Sequence, residues 1–153
     1  MKEFIKWSSV LNLNMSSCLD KRLAKFDINS SQFFYIMRIC QEPGMTRESI
    51  METVYRNPSN VTRALMQLEE KGYVRREPSK KDRRTCYLFP TEKAIRDCEE
   101  IQAISQETIR DVLEPFTEEE REMLPKLLKK AGLHAYEINK LERQKEKAEG
   151  GEC

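Results

Sequence analysis

Apolar residues recur along this chain at steps of three and four, interrupted once by a short stretch built differently. Phe4, Trp7, Leu11, Met15, Cys18, Leu19, Leu23 and Phe26 keep helical spacing and predict an amphipathic helix over residues 2–26. Residues 27–30 break it, and Asn29 or Ser30 can cap the next helix. Residues 32–41 are strongly apolar (Phe33, Phe34, Ile36, Met37, Ile39, Cys40), which predicts a central helix buried on most sides. Pro43-Gly44 ends it, and Thr46 is a fit cap for a third helix to about Tyr55, with Ile50 and Val54 facing inward.

Asn57-Pro58 restarts the chain as cap and first helical residue, since proline there forfeits no hydrogen bond. The fourth helix stops at Gly72, the expected left-handed terminator. Val61, Leu65 and Leu68 share one face, so Ser59, Asn60, Arg63 and Gln67 lie on the others. Residues 73–77 and 85–89 are rich in β-formers and predict two paired strands, joined by a turn crowded with Lys and Arg. Thr91 opens a long helix ending at Glu114-Pro115, and Thr117-Glu118-Glu119-Glu120 is a capping box for a last helix towards Lys147. Pro125, inside its first turns, predicts a kink or a shifted start.

A helix offering hydrogen-bonding side chains beside a basic hairpin is suited to duplex DNA. The net charge of +1 argues the other way until its distribution is read. From Arg56 to Arg84 nine basic residues face four acidic ones, whereas from Glu92 to Glu122 eleven acidic face four basic. A local basic surface can bind phosphates whatever the chain average. The 39% apolar and 35% charged content suits long, half-exposed helices. The chain has no apolar run of about 18 residues, the length a membrane span needs, and is expected in the cytoplasm. Five widely spaced cysteines without a C-x-x-C pair fit a reduced protein. One histidine, His134, and no Cys/His cluster argue against zinc, and no metal or other cofactor is expected. No triad, phosphate loop or carboxylate pair suggests an enzyme.

The order of elements resembles the MarR family of winged helix-turn-helix regulators. The residues carrying the likeness are Ile28-Asn29-Ser30-Ser31-Gln32-Phe33, Ser59-Asn60-Val61-Thr62-Arg63, Leu68-Glu69-Glu70-Lys71-Gly72-Tyr73-Val74-Arg75-Arg76, Asp82-Arg83-Arg84 and Thr91. Pro90-Thr91 and Ala94 depart from the family's Leu-Thr step and following Gly, away from the DNA-contacting positions. The resemblance implies a mainly α fold with a small β-hairpin wing and long terminal dimerisation helices. Its parts would be a first dimerisation helix (1–28), a winged helix-turn-helix region (29–91), C-terminal dimerisation helices (92–147) and a disordered tail (148–153).

It also implies a homodimeric regulator, a repressor more readily than an activator, on a roughly palindromic operator with half-sites about one helical turn apart. Ser59, Asn60 and Arg63 would meet bases and Thr62 a phosphate. Asn57 and Pro58 would sit where free N–H groups attract phosphate. Arg84, oriented by Asp82, would enter the minor groove, and Arg83 is its neighbour at the tip. Arg75, Lys80 and Lys81 would add unspecific attraction, with at most one of Arg75 and Arg76 facing DNA. Phe4, Trp7, Leu11, Leu124, Leu127, Leu128, Ala131, Ile138 and Leu141 form apolar stripes for the dimer, unless they pack as a coiled coil within one chain.

Family members commonly respond to a small aromatic or lipophilic effector. Met15, Phe33, Phe34 and Met37 either line such a pocket or are plain core. Cys18 sits where a peroxide-sensing branch carries its thiol, although cysteine is also a common core residue. The rival functions are therefore a thiol-based redox-sensing regulator and a winged-helix module that binds protein.

Overall fold

The structure is a computed structural model that describes residues 2–55, 57–80, 82 and 85–149. Six helices and three short strands follow in the order α1 (Lys2–Leu23), α2 (Ser30–Gln41), β1 (Met45–Thr46), α3 (Arg47–Val54), α4 (Pro58–Glu70), β2 (Val74–Pro78), β3 (Cys86–Pro90), α5 (Glu92–Val112) and α6 (Glu118–Glu149). Residues 1–112 form one compact unit and residues 113–153 a second. No helix among the described residues is long and apolar enough to cross a membrane.

In the first unit α1, α2 and α5 pack together, and α2 also carries α4 and β3. The core joins Leu19 and Leu23 of α1, Phe33, Ile36 and Ile39 of α2, Leu65 and Leu68 of α4, Leu88 of β3 and Ile101 of α5. Each such side chain contributes roughly 1.5–3 kcal/mol on burial. Asn29 caps α2 through a reciprocal box with Gln32, and Asp20 of α1 accepts from Ser30 N at 2.6 Å. Thr46 caps α3 the same way, with Ser49 as its partner.

Helix α4 ends in a Schellman turn. Gly72 takes φ 74°; Tyr73 N donates to Leu68 O at 2.8 Å and Gly72 N to Glu69 O at 3.0 Å. Tyr73 is buried, and its hydroxyl reaches Phe26 O (2.9 Å) and Asp97 Oδ2 (3.2 Å). The junction between α4 and the sheet is thereby tied to the end of α1 and to α5. Thr91 closes the other side, donating to Gly72 O at 2.6 Å and capping α5 through Ala94 N.

Several expectations change. The first helix stops at Leu23 and finishes in a single 3-10 turn (Ala24–Phe26) closed by a left-handed Asp27. The hairpin gains a third strand, in the order β1-β3-β2, because Met45 and Thr46 pair with Leu88 and Tyr87. Two residues offer no alternation for a sequence pattern to show. Helix α5 ends at Val112, before Glu114. Pro125 does not shift the start of α6: Thr117 and Glu120 complete the capping box, and the Arg121 guanidinium donates to Leu113 O and Glu114 O. The helix also runs past Lys147 to Glu149, so two residues of the expected tail are helical. Residues 150–153 lie outside the described residues.

Burial first, then the hydrogen bond and charge of Asp97, push the Tyr73 phenol well above its ordinary value near 10. The folded state therefore resists an ionisation that the unfolded chain undergoes. Its contribution is complete below about pH 10 and is lost as pH rises towards the folded value. Tyr73→Phe is expected to cost about 1–2 kcal/mol at neutral pH in urea denaturation. The difference between wild type and variant should shrink as pH rises above about 10; a constant difference would contradict the assignment.

Candidate nucleic-acid interface

Helix α4 buries Val61, Ala64, Leu65 and Leu68 and turns its other face outward. On that face Ser59, Asn60, Arg63, Met66, Gln67 and Glu70 are all exposed. Half-buried Asn57 caps the helix, accepting from Ser59 N at 3.0 Å. Asn60 N and Val61 N donate to Asn57 O, and Pro58 has no N–H. The first-turn donors are thus occupied within the chain, and the free N–H groups expected there for phosphate are absent in this state. Thr62, expected to meet a phosphate, donates its hydroxyl to Pro58 O at 3.1 Å, a bond it would exchange on meeting DNA.

The arginines on this side of the molecule separate into two kinds. Arg47 pairs with Glu48, Arg76 with Glu69 (2.9 Å), and Arg75 with Glu77 while lying over the Phe89 ring. Arg63 has no ion-pair partner among the described residues, so its guanidinium is open to a ligand. Arg75 and Arg76 alternate across β2. Arg76 turns to α4 and shares a cleft with Arg47, Thr62 and Cys86, whereas Arg75 points to the other side of the strand.

The hairpin turn is closed by Ser79 N donating to Thr85 O and Thr85 N to Asp82 O. The Asp82 carboxylate accepts from Thr85 Oγ1 at 2.9 Å. Lys80 is exposed beside this turn. Lys81, Arg83 and Arg84 lie outside the described residues, and with them the expected pairing of Asp82 with Arg84.

The four residues suggested for an effector part company. Met15 and Phe34 line a cleft of about 340 Å³ between α1 and α2, together with Asn12, Ser16 and Ser31. Phe33 is core, and Met37 packs beside Cys98, which lies 3.7 Å from its sulfur. Cys18 is exposed, so it is not the core residue its composition class suggested. The four described cysteines are free thiols. Burial and the neighbouring Cys98 push the Cys40 thiol up to about 12. Among the described residues no group of three or more His, Cys, Asp or Glu is placed to hold a metal ion.

Helical spacing puts Gln67 on the outer side of α4 and nothing local to it in the sequence marks a role. Its partner, Gln32, was hidden inside an apolar run. Met66 and Arg47 also border the clefts around α4, and single side chains beside a motif carry no period to mark them.

The model of the MarR family matches residues 28–86, from the loop before α2 to the start of β3. The regulator SarZ of Staphylococcus haemolyticus, an HTH-type transcriptional regulator, is 31% identical over 107 residues, covering 70% of this chain and 71% of that protein. The HTH-type transcriptional regulator YybA of Bacillus subtilis, itself uncharacterized, is 24% identical over 84% of this chain and 85% of its own length. A MarR family regulator from Listeria monocytogenes, crystallised with 26mer DNA, superposes with a TM-score of 0.81 at 25% identity, covering 90% of this chain and 92% of that one. Sequence and fold agree over the same helices, and the chain belongs to the MarR family of transcriptional regulators.

Proposed function

We propose that this regulator represses transcription as a homodimer, each copy laying α4 in the major groove of one half of a palindromic operator. The observation that carries the reading is Arg63, without an ion-pair partner among the described residues. It stands with Ser59 and Asn60 on the exposed face of α4 while the neighbouring described arginines are internally paired. A forked donor free of internal partners suits guanine O6 and N7. Thr62, with Asn57 and Pro58 at the helix start, would border the phosphates. Lys80, Lys81 and Arg75 would attract the backbone; Arg84, oriented by Asp82, would enter the minor groove, with Arg83 its neighbour at the tip.

Phe4, Trp7, Leu127 and Leu141 are each more than half exposed in a single chain, which supports burial against a second copy. The parts are then 1–28 and 92–147 for dimerisation around a DNA-reading 29–91. A Leu127→Glu, Leu141→Glu double variant is expected to sediment as a monomer; one that stays dimeric removes these residues from the interface. The cleft lined by Met15 and Phe34 supports an effector of small aromatic or lipophilic character. Its wall includes Ser31, which also lines the cleft between α2 and α4.

The affinity of the dimer for a duplex selected from a randomised library should fall with salt at a log–log slope of roughly −0.9 per phosphate neutralised. Arg63→Ala should weaken binding by about 1–3 kcal/mol while the melting temperature holds. A flat salt response would leave a protein-binding module as the better account.

The exposure of Cys18 favours a second reading, a thiol sensor, since an accessible thiol one helical turn from Arg22 can meet an oxidant. If it holds, peroxide releases the wild type from DNA and not Cys18→Ser; equal behaviour of the two removes it.

A further inference from the structure

Gln32 is a polar residue only 1% exposed, set in the apolar run of α2. Its side-chain oxygen accepts from two groups, Asn29 N and Lys71 Nζ, each at 3.3 Å. An amide N–H and an ammonium can only donate, so the oxygen of Gln32 must point at them. Its NH₂ is consequently turned the other way, where Nε2 donates to Gln67 Oε1 at 2.9 Å. The orientation of the second amide is set by the first. Gln67 Oε1 faces Gln32, and Gln67 Nε2 is left pointing away, with no partner among the described residues.

Gln67 is exposed one turn beyond Arg63, and the two border both the outer ridge of α4 and the 180 Å³ cleft between α2 and α4. We infer that Gln67 is a base-reading residue of fixed polarity and that Gln32, which touches no DNA, is the positioning residue that sets it. This deepens the DNA-binding reading of α4 and rests on it.

The major-groove edges of the bases give this polarity a consequence. A glutamine free to use both ends of its amide can grip adenine, donating to N7 and accepting from N6. Gln67 presents its donor end alone. The acceptors it can meet are the keto oxygens, O6 of guanine and O4 of thymine, and N7 of either purine, which does not tell adenine from guanine. The amino groups of cytosine and adenine at the same place oppose donor to donor. Set against that exocyclic group rather than N7, Gln67 selects a keto base over an amino base at one base pair of each half-site, one turn of α4 from the contact made by Arg63.

Exchange of one buried atom should invert that choice. In Gln32→Glu the carboxylate still accepts from Asn29 N and Lys71 Nζ but has nothing to donate to Gln67. The Gln67 amide then turns over, donates inward and shows its oxygen to the groove. An outward acceptor favours the amino bases.

The test selects operators for the full-length wild type from a randomised duplex library. Affinities are then measured for the four bases at each position with wild type, Gln32→Glu, Gln32→Leu and Gln67→Ala. Wild type is expected to prefer a keto base about tenfold at one position per half-site. Gln67→Ala should erase that preference and leave the others. Gln32→Glu should reverse it. Gln32→Leu, which keeps an apolar fit should the buried carboxylate unfold the protein, should abolish discrimination between keto and amino bases there. A merely structural role for Gln32 predicts weaker binding with every base preference intact, and that result overturns the inference while the DNA-binding reading survives. Base preferences unchanged in Gln67→Ala overturn it equally. Failure of the wild type to bind any duplex overturns both.

Discussion

Gly72 takes a left-handed conformation, φ 74°, and the placement of α4 against the hairpin and α5 depends on it. A residue with a Cβ would carry a backbone penalty there, although nothing lies within 4 Å of where that atom would sit. The constraint is therefore torsional rather than steric. Because the chain reverses at Gly72, Tyr73 N–H can return to Leu68 O, and both side chains enter the core. From that anchor β2 departs at once, β3 pairs back along it from Val74–Pro90 to Pro78–Cys86, and Thr91 returns to Gly72 to begin α5. Helix α4, the hairpin and α5 are thus fixed relative to one another at a single turn.

The same junction connects to the α1–α2 corner through polar groups. Lys71 Nζ donates to Asp27 O and Gln32 Oε1, Tyr73 Oη reaches Phe26 O and Asp97, and Lys93 Nζ donates to Lys71 O while lying over the Tyr73 ring. Such a network is stiff when every member is satisfied and costly when one is not. The C-terminal end of α4 is thus joined to the α1–α2 corner and to α5 through hydrogen bonds as well as through packing.

The helices were legible because their signals are local. Asn57-Pro58, Thr46 and Thr117 are caps by chemistry, Gly72 is a stop by torsion, and Val61, Leu65 and Leu68 mark a face by period. What escaped was non-local. The two-residue β1 exists only because Leu88 and Tyr87 pass beside it, and the end of α1 as a 3-10 turn depends on Asp27 going left-handed. At the site, exposure was readable but occupancy was not. No pattern says that Thr62 Oγ1 is bonded to Pro58 O, that Arg76 meets Glu69, or that the oxygen of Gln67 is held by a residue 35 positions away.

Occupancy also explains how a chain of net charge +1 can face a polyanion. Glu48 and Glu69 sit against Arg47 and Arg76 beside α4, and Glu77 against Arg75 on the other face of β2. Exposed pairs of this kind are worth little to stability, so they separate at small cost when phosphate offers a better partner. In the free protein they hold long side chains near the surface and lower the repulsion among like charges packed around α4. Attraction at a distance is weak under this arrangement. Under the proposed binding mode it would grow as the duplex approached within about a Debye length and phosphates took the place of the carboxylates. Arg63, with no ion pair among the described residues, has no carboxylate to give up there. Under that binding mode it would be the first of the guanidiniums described around α4 available to a base edge.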